Sequence, residues 1–331
     1  MKADPKQVHV EKEYSCPAPL INCRFDPTGK YVFTTAEDRG INRIDLETGK
    51  RIEFKGHDSW VRGLAFSRDG KTLITAGFDD TLIWWPATAE KPEPIRKVKA
   101  HDGWIRTISV SPDGKLIASA GNDRIVRTWR MSDGSKVQEF KGHKRDVYST
   151  LFFGKGQFLL SGDLLGQVRV WEVTSGMEVC TLDAKDLSTF NKGQAVDYGG
   201  VRSLDLNADD SQLLCAGLHK ATNPLGAVNE PLLLRFDWEK RKLLKKHEAP
   251  GVRGAAWRAM FHPDNFIFAC SGGSGGGYLL FWKPDEEKPF HKFKLKDTAR
   301  EMDLHPDGLR IATAHHDRKL RICRLAAKAK K

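Results

Sequence analysis

Three histidines carry the residues that could do chemistry. His57, His101 and His143 are each followed eighteen positions later by a hydroxyl, at Thr75, Ser119 and Ser161, and ten positions after that by Trp85, Trp129 and Trp171. The first two sets also contain Asp79 and Asp123. Histidine, hydroxyl and aspartate together are the parts of a hydrolytic triad, in which an oriented imidazole takes the proton of a nucleophilic hydroxyl. An active site is not built three times over at one fixed spacing, however, whereas a structural repeat is.

Other candidates for chemistry are weaker. His315 and His316 beside Asp317 offer metal-ligating atoms, but spacing fixes no further ligand, and no metal is expected. The run SGGSGGGY at 271–278 lacks the Gly-Lys-Ser/Thr end of a phosphate loop and leads into a strand, so it reads as a flexible turn. The acidic pairs Asp79-Asp80, Asp209-Asp210 and Glu286-Glu287 sit in turns, where carboxylates are solvated or cap backbone groups. No HxxEH, HExxH or CxxC string occurs, and no cofactor is implied. The six cysteines are scattered and read as small buried apolar side chains in a reducing compartment.

The elements that must position these residues are strands. Tight turns of the Asp-Gly kind, or their relics, recur at Gly29, Gly70, Gly114, Gly156, Asp210, Asn265 and Gly308, in steps of 41, 44, 42, 54, 55 and 43 residues. Four steps match a propeller blade and two point to insertions. The third unit shows the order of parts, WIRTISV, SPDG, KLIASA, GND and RIVRTW: short β-branched runs joined by turns that favour antiparallel neighbours. Forty per cent of the 331 residues are hydrophobic and 29% charged, enough to bury a core. The net charge of +11 favours acidic partners such as an acidic protein, nucleic acid or an anionic surface. The N-terminal stretch has no apolar core of a signal peptide and no segment has the length to span a bilayer, so a cytoplasmic location without membrane contact is expected.

The Gly56-His57, Ala100-His101 and Gly142-His143 segments, with the tryptophans at fixed distance, resemble the GH and WD signatures of the WD-repeat family. The resemblance is strong in units 2 to 4 and weak in 5 and 6. It implies an all-β, seven-bladed WD-repeat β-propeller over 1–325, followed by a basic tail at 326–331, with residues 7–14 supplying the outer strand of the last blade. It also implies that His57, Thr75, Asp79 and Trp85, and again His101, Ser119, Asp123 and Trp129, are structural tetrads whose buried polar atoms satisfy one another. The pattern departs in unit 4, where Leu165 stands in the aspartate position, and in units 1 and 7, which keep Thr34 with Asp38 and Thr313 with Asp317 but end in Ile44 and Cys323.

In that family the starts of the first strands ring the channel mouth on one face, the top. Here that ring reads Ile21, Arg62, Arg106, Tyr148, Arg202, Trp257 and Arg300, with Trp60 and Trp104 just before two of its arginines. Arginine and aromatic side chains are the types enriched at interaction hot spots. The long connection 184–200 and the enlarged loop 219–231 fall on the same face; long loops in a compact domain are usually either functional or disordered, and their coincidence with the arginine ring favours the first. The expectation is therefore a non-enzymatic interaction scaffold, a monomeric propeller inside an assembly, docking an acidic protein or peptide segment at the arginine mouth. Its rivals are nucleic-acid binding and an unrecognised enzyme.

Overall fold

The computed structural model describes residues 2–223 and 228–328. Seven four-stranded antiparallel sheets follow one another along the chain. The inner strands of blades 1 to 7 are Leu20–Phe25, Val61–Phe66, Ile105–Val110, Val147–Phe153, Ser203–Leu206, Ala255–His262 and Ala299–Leu304. The turns after them bend through left-handed backbone at Gly29, Gly70, Gly114 and Gly308, and at Asp210 and Asn265 where the glycine has been replaced. Glycine, asparagine and aspartate tolerate that conformation, which explains the recurring signal in the sequence.

Each blade packs both faces against neighbours. Seven apolar clusters occupy the seven blade-to-blade interfaces; Phe33, Ile41 and Phe54 of blade 1, for example, meet Leu73, Ile83 and Trp85 of blade 2. Burial on both sides is why the second strands read as apolar runs, such as the almost wholly buried Leu116–Gly121, instead of alternating cleanly.

The ring closes through its N-terminus. His9–Ser15 pairs antiparallel with Lys319–Arg324 and completes blade 7, with Glu13 bonded to Arg321 at 2.9 Å. This pairing covers the edge of Lys319–Arg324 and staples the first described strand to the last.

The irregular segments are more ordered than their composition suggests. Part of the connection before blade 5 is a hairpin, Ser188–Asn191 paired with Val196–Gly199. The enlarged blade 5 loop is mostly strand, Gln212–Asn223 and Val228–Asp237, and its tip at 224–227 lies outside the described residues. The glycine run of blade 6 continues the ladder to Gly273 and Gly276 and is a tight hairpin, where flexibility was expected. A Cβ on Gly277 would lie 2.1 Å from the Asp297 carbonyl, and one on Gly272 would lie 2.1 Å from that of Ala299, so these glycines let the blade 6 hairpin close against the entry to blade 7. Of the tail, residues 329–331 lie outside the described residues.

Candidate functional site

The histidine sets form hydrogen-bonded relays inside blades 2, 3 and 4. Thr75 accepts the Trp85 indole N–H at 2.9 Å and bonds His57 Nε2 at 2.7 Å, while His57 Nδ1 reaches Asp79 at 2.9 Å. Ser119, Trp129, His101 and Asp123 repeat the arrangement with bonds of 2.7, 2.7 and 3.0 Å. Burial alone would raise the Asp79 and Asp123 carboxyls, but the bonds from their histidines and from backbone N–H groups outweigh it and hold both below the usual range. The connectivity is that of a triad, yet Thr75, Ser119 and Ser161 are fully buried and already accept an indole N–H, which leaves a substrate carbonyl no approach.

Blade 4 corrects the sequence alignment. Its aspartate is Asp163, two positions before Leu165: the buried carboxylate meets His143 Nδ1 at 2.9 Å and also accepts the N–H groups of Leu165 and Gln167. Blade 4 thus has a full set, with Ser161 and Trp171. In blade 7 the imidazole comes from His315, bonded to Thr313 at 2.8 Å.

On the top face Ile21, Trp60, Arg62, Trp104, Arg106, Tyr148, Arg202, Trp257 and Arg300 line one open cavity of about 430 Å³, joined by Glu37 and Phe78. Six of the seven ring residues share one local cause. Ile21, Arg62, Arg106, Tyr148, Trp257 and Arg300 are each skipped in the pairing of their inner strand with the next, making each the extra residue of a β-bulge. A bulge kinks the strand and re-aims the extra side chain, here into the mouth. In blade 5 Arg202 stands just before the strand, its N–H bonded to the Ala216 carbonyl.

The mouth is an arc of alternating guanidinium groups and rings. Arg106 lies 4.7 Å from the Tyr148 ring centre, Arg202 4.0 Å from the same ring and 5.5 Å from Trp257, and Arg62 5.8 Å from Trp257. Ion pairing divides the arginines. Arg106 bonds Asn122 and pairs with Asp146, and Arg300 pairs with Glu37, each across a blade boundary. Arg62 and Arg202 have no ion-pair partner among the described residues, and Arg202 Nε is a buried donor without an acceptor there. Burial first pulls both guanidinium groups below the ordinary arginine range; Arg202, Arg106 and Arg24 add to this at Arg62 and Arg106 adds to it at Arg202, while Glu301 opposes it at Arg62 and Tyr148 with Asp146 at Arg202.

Asp205 and Asp303, three residues after Arg202 and Arg300, do not neutralise these arginines. They accept the Phe261 and Phe25 N–H groups at 2.8 and 2.9 Å, and burial pushes Asp205 up to about 7. Below the mouth a narrow polar cavity of about 70 Å³ is lined by Arg62, Arg106 and Arg202 again and by Arg24 and Arg258, with Glu301 3.4 Å from Arg24 and 3.8 Å from Arg258.

With this geometry in view, comparison with known proteins places repeats of a known family in the middle of the ring. The profile of the family "WD domain, G-beta repeat" matches residues 49–86, 92–130 and 134–172, covering most of blades 2 to 4. The chain is a WD-repeat β-propeller. It is 22% identical over 296 residues to human pre-mRNA-processing factor 17, covering 88% of this chain and 47% of the relative. It is 26% identical over 155 residues to transcription initiation factor TFIID subunit 5 of Caenorhabditis elegans, 47% of this chain and 24% of the relative. A third relative, apoptotic protease-activating factor 1 of Rattus norvegicus, is 26% identical over 196 residues, 59% of this chain and 15% of the relative. The propeller spans less than half the length of each.

Elsewhere in the propeller, side chains of metal-ligating type converge twice among the described residues. At Asp297, His315 and Asp317 both imidazole nitrogens are engaged, by Thr313 and by the Asp297 carbonyl. At His219, Glu230 and Glu248 the Lys220 ammonium sits between the two carboxylates at 3.1 and 2.9 Å. Gly272, Ser274 and Gly276 match a G-x-S-x-G string, but it lies on a strand-turn-strand where a nucleophile elbow needs a strand followed by a helix. All six cysteines are buried and unpaired.

Sequence reasoning missed Phe78, Glu37 and Asn122. All three occupy one repeat position, immediately before Asp79, Asp38 and Asp123, and that shared offset is the signal that could have found them.

Proposed function

We propose that this propeller is a non-catalytic interaction scaffold that docks an acidic protein or peptide segment over the arginine-lined mouth of its top face. The observation that carries the reading is the unpaired state of Arg62 and Arg202 beside the matched pairs Arg106–Asp146 and Arg300–Glu37. Two half-buried guanidinium groups repel each other, and a carboxylate entering the mouth relieves that repulsion while accepting charge-assisted hydrogen bonds. Tyr148 and Trp257 supply rigid contact area around the same point. The relatives support work inside assemblies, one being by name a subunit of an initiation factor. The buried, unpaired thiols fit a reducing compartment, and we place the protein in the cytoplasm.

The test is affinity capture from native extract with the tagged wild type and with Arg62→Glu/Arg202→Glu. This pair is preferred over changes at Arg106, where a glutamate would face Asp146 and confound charge reversal with local repulsion. A partner held by the wild type, released by a glutamate-rich competitor peptide and absent from the double variant is the expected result. Equal capture by both proteins overturns the reading.

A further inference from the structure

Beside the mouth lies a second feature that charge alone does not explain. Phe78 stacks on Trp104 with ring centres 4.5 Å apart and planes 4° from parallel, and Trp60 lies 6.2 Å from Phe78 on its other side. The two tryptophans remain 45% and 46% exposed, so they are not fillers of the gaps between blades. The backbone holds the row in place: the Phe78 N–H bonds the Trp60 carbonyl at 2.7 Å, and the Asn122 N–H bonds that of Trp104 at 3.0 Å. The shelf is local, because the same position two residues before the ring is Pro19, Asp146, Gly200, Ala255 or Thr298 in the other blades. Arg106 joins the shelf to the mouth, its guanidinium 5.5 Å from the Trp104 ring and 4.7 Å from that of Tyr148.

We propose that this site reads a flat side chain, so that the docked segment is a peptide pairing an acidic residue, held by Arg62 and Arg202, with an aromatic residue stacked against the exposed indoles of Trp60 and Trp104, which Phe78 braces. The proposal rests on the docking reading above and adds its specificity. Offset stacking on exposed indoles favours a planar π face. The guanidinium groups next to the shelf exclude the competing occupant of an aromatic surface, a cationic side chain, by repulsion. A single-stranded nucleic acid also stacks on aromatic rings, but it brings a phosphate with every base. Among the described residues only two arginines of the mouth lack an ion pair to offer it, and the carboxylates Asp58 and Asp102, within two residues of Trp60 and Trp104, already hold the nearby Lys97 and Lys99.

The experiment pans a random peptide display library on wild-type protein, on Trp60→Ala/Trp104→Ala and on Arg62→Glu/Arg202→Glu, with a thymidine oligonucleotide titrated against the same proteins. On the wild type, enriched sequences are expected to carry Asp or Glu within a few positions of Phe, Tyr or Trp. The tryptophan variant should retain the acidic preference, lose the aromatic one, and bind a selected peptide about tenfold more weakly. The wild-type arm decides the matter even if a variant does not fold. Acidic sequences without an aromatic preference overturn the shelf and leave the docking reading standing. Sequences without an acidic preference, or no enrichment over bare support, overturn both. Oligonucleotide binding that depends on salt and on Trp60 and Trp104 replaces the peptide with a nucleic acid.

Discussion

Replacing Asp163 should destabilise blade 4, whereas replacing Leu165, which stands in the family's aspartate position, should not. The Asp163 carboxylate is buried and accepts from His143 Nδ1 at 2.9 Å, from Leu165 N–H at 2.9 Å and from Gln167 N–H at 3.0 Å. Asp163→Ala strands three donors at about 1–3 kcal/mol for each one that stays buried. The imidazole is sealed, whereas the two amides lie at a half-buried turn that water reaches, so the expected total is about 3–5 kcal/mol. With an unfolding entropy of about 2.1 cal/mol/K per residue, that lowers the melting temperature by about 4–7 °C. Asp163→Asn keeps an acceptor for the amides but turns an NH2 toward His143, and should cost about half as much. Leu165→Ala removes no hydrogen bond and should cost less than about 1 kcal/mol. Urea unfolding followed by circular dichroism, with calorimetry alongside, measures all three, and pairing Asp163→Ala with His143→Ala isolates their coupling. A cost for Asp163→Ala within about 1 kcal/mol of wild type, or an equal cost for Leu165→Ala, would falsify the assignment.

Three further outcomes follow from the packing. Burial pulls the neutral-favouring His247 and His315 down to about 4; the unfolded chain then binds the extra protons below its ordinary histidine value of about 6.5, so stability is full above that pH and falls toward pH 4, by up to about 3 kcal/mol per group. The urea midpoint followed across that window should slope downward with acid, and less steeply in His315→Gln; identical slopes refute the linkage. Deleting residues 1–15 strips the outer strand of blade 7 and uncovers the cluster holding Val8, an expected loss on the order of 5 kcal/mol and 7 °C in the melting temperature. Unchanged melting and gel-filtration behaviour would show that the closure contributes nothing. Gly277→Ala drives a Cβ into the Asp297 carbonyl, while Gly193→Ala meets only Asn191 Oδ1 at 3.4 Å; denaturation midpoints should show a cost of at least about 1–3 kcal/mol for the first and under about 0.5 kcal/mol for the second.

The blade count, the tetrads of blades 2 and 3 and the closing strand were legible because each depends on local chemistry repeated at fixed spacing. A left-handed turn selects glycine, asparagine or aspartate, and a sealed imidazole selects a hydroxyl and a carboxylate at set offsets. Asp163 escaped because any carboxylate that reaches His143 Nδ1 serves, and a strand end reaches it as well as the following turn does. The glycine run of blade 6 misled for a different reason: the constraint lies in the Ala299 and Asp297 carbonyls of the next blade, which spacing within the run does not record. The pairing of the mouth arginines was hidden likewise, since Arg106 and Arg300 find their carboxylates in neighbouring blades while Asp205 and Asp303, three residues after Arg202 and Arg300, serve backbone N–H groups.

The bulges explain why binding chemistry collects where it does. A bulge residue is skipped by the ladder, and the side chains of Arg62 and Arg106 take no place in the clusters between blades, whereas Trp257 packs against the blade 6–7 cluster and donates its indole N–H to the Gly272 carbonyl. Six blades present such a position at the same height on the channel. The fold therefore fixes where these side chains point and leaves their chemistry unconstrained, in contrast to His57 or Ser119, whose identity the blade interior dictates. An arginine at such a place is not there to hold the sheet together. Arg62 illustrates the point: it contributes backbone to the propeller, through the carbonyl that Asn22 bonds, while its guanidinium group rests near Trp257 and makes no ion pair among the described residues.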